Sequence, residues 1–173
     1  MKKITLIASM ITLCVGFSST AFAQVTASAP THATVVAPIS IALDTDMNFG
    51  NLAVSSTAGT VILAPDSGRT KTLGATLPAT PGTVTAAQFT VGGEAGYTYI
   101  ITLPTEDFTI TKATTLETMT VNAFSSTPDA TTTPTIGGGS EIILVGATLN
   151  VGANQVAGLY ENATGFDVTV NYN

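Results

Sequence analysis

Apolar residues take every second position between residues 33 and 43. Ala33, Val35, Ala37, Ile39, Ile41 and Leu43 alternate with Thr34, Val36, Pro38, Ser40 and Ala42. A two-residue period places successive side chains on opposite faces, so the pattern predicts a strand with one apolar face. Pro38 cannot donate to a ladder, which makes this an edge strand or two strands joined near Pro38. The same alternation returns at the end of the chain. Phe166, Val168, Val170 and Tyr172 are interleaved with Asp167, Thr169, Asn171 and Asn173, predicting a half-buried terminal strand.

Between these two ends the pattern predicts shorter strands at 47–54, 60–64, 69–77, 83–91, 97–103, 108–110, 119–124 and 141–151, with 156–160 entering the last element. Asp44-Thr45-Asp46 and Pro65-Asp66-Ser67-Gly68 read as turns. The Gly92–Gly96 stretch, with three glycines, reads as a hairpin joining the strands at 83–91 and 97–103. Residues 125–140, rich in Thr, Pro and Gly, read as a long surface loop. No long stripe of helical period interrupts the series. About eight to ten short strands with turn signals between them predict an all-β fold, an antiparallel β-sandwich of immunoglobulin-like type.

The chain opens differently. Lys2 and Lys3 precede an apolar run at 4–17, and Ala21-Phe22-Ala23 fits a small-residue cleavage site. Residues 1–23 therefore read as a bacterial secretory signal peptide, too short for a membrane span. The expected location is periplasm, cell surface or extracellular fibre, with no membrane insertion. Residues 24–32 read as a flexible arm, and 33–173 as one domain. The single cysteine, Cys14, falls in the leader, so the exported part has neither a disulfide nor a thiolate metal site. About 150 residues remain after the leader, enough for one ordinary core without covalent staples.

Eleven acids against five bases give a formal net charge of −6, and two of those bases, Lys2 and Lys3, lie in the leader. Nucleic acid is excluded as a partner, because no basic footprint is present to displace counterions. Catalytic equipment is equally sparse. His32, the one histidine, lies in the arm with no rigid partner in sequence. Asp44-Thr45-Asp46-Met47-Asn48 imitates the start of a calcium loop, but Phe49 and Ser55 occupy the places that need Gly and a carboxylate. Leu77-Pro78-Ala79-Thr80 is followed by Pro81 and is no sorting signal. Glu106 and Asp107, adjacent in an extended chain, point apart and make a poor acid–base pair. Tyr97 and Tyr99, on one strand face, could line a glycan site but are more simply packing residues. The expectation is a protein that is not an enzyme and needs no cofactor or metal.

Two motifs carry a family likeness. The stretch Met47-Asn48-Phe49-Gly50-Asn51-Leu52 and the end Phe166 to Asn173, with Gly158 upstream, resemble the opening motif and C-terminal strand of spore-coat-U-like and archaic chaperone–usher pilin domains. Over nearly the whole exported chain, including the stretch at 146–155, the sequence resembles an uncharacterised family of secreted bacterial domains. The pilin resemblance implies a non-catalytic structural subunit of a surface fibre or extracellular layer. It implies self-association into a polymer, with a periplasmic chaperone and an outer-membrane usher as partners. The assembly residues it points to are Val35, Ala37, Ile39, Ile41, Leu43, Gly158, Phe166, Val168, Val170 and Tyr172. Residues 33–43 are either given to a neighbouring subunit by strand addition or complete their own domain. A freestanding module that binds a glycan or surface partner through loops such as 125–140 is the alternative.

Overall fold

The computed structural model describes residues 23–173, so the leader lies outside the described residues. Residues 23–34 contain no regular element and are exposed throughout, including His32. Residues 35–173 form one compact unit of nine strands: β1 (Ser40–Thr45), β2 (Ala53–Leu63), β3 (Arg69–Thr76), β4 (Ala87–Gly92), β5 (Tyr99–Thr102), β6 (Phe108–Thr111), β7 (Thr118–Thr127), β8 (Ser140–Val151) and β9 (Thr169–Tyr172). Every pairing is antiparallel, and no helix occurs among the described residues. The fold is an all-β sandwich and not a closed barrel.

β8 organises the larger sheet. Val145 lies opposite Ala87 of β4, and Ala147 opposite Leu63 of β2. The same stretch of β8 pairs with β7, Leu144 opposite Thr127 and Asn150 opposite Thr120. A strand has two edges, so β4 and β2 share one edge of β8 end to end while β7 occupies the other. β1 extends the sheet beyond β4, β3 beyond β2 and β6 beyond β7. The second sheet is just β5 and β9.

The core follows the two-residue period. Ile143, Val145, Ala147, Leu149 and Val151 of β8 turn inward with Phe89, Val91 and Val61 from its neighbours, and all are buried. One cluster packs Phe89, Val91, Ile143 and Val145 against Tyr99, Ile101 and Val170 of the small sheet. A second packs Val61, Ala75, Met119, Val121 and Leu149, with Phe49, Leu52 and Phe108 at its border. Phe124 reaches both. The register of β7 against β8 shifts between Asn122 and Ser125, with Ala123 at φ 49°. A bulge there re-aims Phe124 inward after Met119 and Val121.

Four sequence expectations change. The first strand begins at Ser40, not 33, so Asp44 and Thr45 belong to it and the turn starts at Asp46. The glycine stretch is no hairpin: β4 pairs with β1 and β8, whereas β5 pairs with β9, so Gly93–Tyr97 carries the chain from one sheet to the other. Residues 125–140 are only partly loop. β7 runs to Thr127, and Ile136 is fully buried in the first cluster. Residues 156–160 form no strand; the chain makes a single bridge at Glu161 and enters β9 only at Thr169. Elsewhere the predicted strands match to within a few residues.

The Met47-to-Leu52 motif is a structural junction. Asn48 pairs with Thr85 in an isolated bridge, and its Oδ1 accepts from the Gly50 amide at 2.8 Å. Gly50 sits at φ 68°, where a Cβ would run into Pro81 O and lie 2.7 Å from Val84 Cγ2, so glycine is required by both conformation and space. The Arg69 guanidinium closes the turn by donating through Nη1 to the carbonyls of Phe49 and Asn51. The motif thus welds the β1–β2 connection to the 80–85 loop.

Candidate functional site, an open strand edge at β9

β9 is short because its neighbours define it. Asn171 and Thr169 are exposed, Val170 is buried, and Tyr172 is half-buried, the alternation that the sequence predicts. Its ladder to β5 pairs Tyr99 with Tyr172 and Ile101 with Val170. Just upstream, Phe166 packs edge-on to Phe89 and Phe108 at centroid distances of 6.3 and 6.0 Å and lies 4.8 Å from Phe124. This aromatic knot anchors the approach to β9.

Tyr172 ties three segments together. Its hydroxyl accepts from the Glu94 amide at 2.6 Å and donates to the Ala37 carbonyl at 2.7 Å. The Ala37 amide in turn donates to Glu94 Oε2 at 3.0 Å. Gly93 makes room: a Cβ there would lie 2.6 Å from the Tyr172 hydroxyl and 2.7 Å from Ile136 Cδ1. Tyr97 covers the ring of Tyr172 edge-on at 5.7 Å. The chain entering β1 is therefore held by the last strand and by the crossover loop.

The other edges of the sandwich are obstructed. β3 carries Lys71, and Leu73 at φ 47° breaks its line. β6 is met by Glu161, which exchanges two backbone hydrogen bonds with Thr111. The start of β5 is covered by residues 134–136, through Tyr99 N to Pro134 O and Ile136 N to Tyr97 O. Natural sheets block edges in these ways, by charge, bulge or cover. Thr169–Tyr172 makes no backbone hydrogen bond beyond those to β5 among the described residues.

The interior beside this edge is incompletely covered. Ile41 lies opposite buried Val91 and Leu43 opposite buried Phe89, so both turn toward the core. Ile41 is half-buried, but Leu43 is 57% exposed. A depression of about 420 Å³ also opens where the β5–β6 connection meets the start of β9, lined in part by Leu103, Phe108, Phe166 and Thr169.

The sequence-predicted assembly residues therefore divide. Ile39, Ile41, Phe166, Val168, Val170 and Tyr172 meet at the first core cluster. Ala37 joins them through its backbone. Val35 is 95% exposed and touches none of this set through the core. Gly158 is elsewhere, at φ 153°, with Lys112 filling the space of its missing Cβ. Sequence reasoning missed Glu94, Gly93 and Ile136; the doubled glycine at 92–93 was the available signal, read there as a turn. Tyr97 and Tyr99 do not form a joint glycan face, because Tyr99 is wholly buried. Burial and the nearby Glu141 carboxylate push the Tyr99 phenol above its usual range. Asp107 is held by Asn122 Nδ2 at 3.0 Å. No group of three or more His, Cys, Asp or Glu among the described residues could hold a metal ion.

No curated protein and no solved structure matches this chain. Residues 39–172 match the family model described as a domain of unknown function, DUF4402. The match begins at the first core-packed residue and ends at the tyrosine that fastens the last strand, so the junction at Met47–Leu52, the aromatic knot and the β9 edge all fall within it: the chain belongs to the DUF4402 family.

Proposed function

We propose that this protein is an exported, non-catalytic structural subunit of a bacterial surface fibre or extracellular layer, whose copies associate by strand addition. The observation that carries this reading is the unpaired edge of β9 beside an inward-facing Leu43 that nothing in its own chain covers. A strand laid along β9 gains backbone hydrogen bonds and covers apolar surface at once. Residues 33–37 are suited to supply it. They are unpaired in their own domain apart from the bonds at Ala37, and Ala33, Val35 and Ala37 alternate along them. They also carry no charge, whereas the body of the chain is acidic. The resemblance to pilin domains supports the same reading and implies a chaperone and usher as handling partners. Export by the leader is part of the proposal.

Electrophoresis of the purified exported chain without heating tests it. SDS-resistant ladders that collapse on boiling are expected, and Val35→Asp should abolish them without lowering the Tm. A monomer in sedimentation at every concentration, with no ladder, removes the proposal.

A further inference from the structure

The outer face of the large sheet carries a second, independent feature. Thr72 lies opposite Thr60, Thr60 opposite Asn150, Asn150 opposite Thr120, and Thr120 opposite Thr109. Directly opposed residues share a face, so β3, β2, β8, β7 and β6 present one unbroken row of hydroxyl and amide groups. The neighbouring residues Val61, Leu149, Met119 and Val121 are buried, which fixes the row on the outside. At about 4.8 Å per strand, five strands space the row over roughly 19 Å.

The row is organised. The hydroxyls of Thr60 and Thr72 bond each other at 2.7 Å. Asn150 Nδ2 donates to Thr120 O at 3.3 Å and to Asn122 Oδ1 at 3.0 Å. Both bonds use the amide nitrogen, so its Oδ1 faces outward as a fixed acceptor. The hydroxyls of Thr109 and Thr120 make no hydrogen bond among the described residues. No charged side chain belongs to the row, on a chain with eleven acids.

We infer that this row binds an extended, neutral, β-linked polysaccharide chain. Its period is close to the rise of one pyranose in such a chain, so successive sugars meet successive strands. Hydroxyls that both donate and accept match sugar hydroxyls, and the threonine methyls meet the apolar C–H faces of the rings. A second copy is a poorer occupant. Two rows of side chains cover roughly 200–300 Å² on these spacings, well short of the roughly 800 Å² per partner of a stable protein interface. Strand twist of about −20° to −25° per step makes the row curve, which a flexible chain can follow and a crystal plane cannot. The inference does not rest on strand addition, since a monomer presents the same face.

Affinity electrophoresis of the protein through gels containing hydroxyethylcellulose tests it, with dextran as the α-linked control. Retardation by the first and not the second is expected. The double variant Thr109→Val, Thr120→Val should weaken retardation at least tenfold at unchanged Tm, and Thr120→Ser alone should keep it. Equal mobility in both gels overturns the inference. So does retardation that survives the double valine variant, or loss of self-association instead of glucan binding in that variant. Ladders lost with retardation kept would sink the fibre reading alone.

Discussion

The hydroxyl of Tyr172 donates to the carbonyl of Ala37 at 2.7 Å, across 135 positions of sequence. The penultimate residue thus fixes the point where the arm meets the domain. Tyr172→Phe removes this bond and leaves the Glu94 amide without its acceptor. A loss of about 1–3 kcal/mol is expected from orphaning a part-buried partner. Urea unfolding measures the loss, and faster amide exchange at Ala37 and Glu94 locates it. Unchanged exchange at both positions would show that the tyrosine is not the fastener.

The junction at the family motif makes a second prediction. Gly50→Ala demands a left-handed φ from a residue with a Cβ and drives that Cβ into Pro81 O. Destabilisation of about 2 kcal/mol or more is expected. Arg69→Met, which keeps the stem but loses both carbonyl contacts, should cost less, about 1–2 kcal/mol. If Arg69→Met proved neutral in thermal unfolding, the guanidinium would have no part in closing the turn.

Tyr99 makes the opposite prediction. Its hydroxyl is buried with no hydrogen-bond partner, so Tyr99→Phe removes a polar group that the fold leaves unsatisfied. Stability should stay level or rise by about 1 kcal/mol. Its folded pKa is raised above the ordinary value of 10.0. A raised phenol contributes stability that is complete below the unfolded pKa and fades as pH climbs through the folded one. The phenylalanine variant should therefore lose less stability than the parent above pH 10. Parallel alkaline profiles for the two proteins would contradict this.

Ile136 tests whether the segment after β7 is structural. It is fully buried among Tyr99, Ile101 and Phe89, so Ile136→Ala should cost about 2–5 kcal/mol through lost burial and a residual cavity. A loop residue of ordinary kind would cost less than about 0.5 kcal/mol.

The strands and most of the core were legible because each follows a two-residue period that needs no knowledge of its partner. Val145, Leu149 and Val170 could be placed inward from alternation alone. Ile136 could not, since a single isoleucine among Thr, Pro and Gly carries no period, and its burial depends on Gly93 leaving room. The hairpin expected at 92–96 failed for a related reason: glycines mark a change of direction but not which sheet receives the chain. Residues 33–39 alternate as well as any strand, yet lie outside the ladders, because β1 finds its partner β4 only from Ser40 onward. The acid–base content was legible in full from composition, whereas Glu94 gains its role only when the fold brings it to Ala37.

The shared edge of β8 has a consequence for the order in which the molecule can be made. β4 and β2 meet no common partner until residues 140–151 exist, and β7 is held on its far side by the same residues. A nascent chain shorter than this has hairpin fragments but no sheet to collect them. Synthesis is nearly finished before the interior can close, so the chain remains threadable through a narrow channel until its last few dozen residues have emerged.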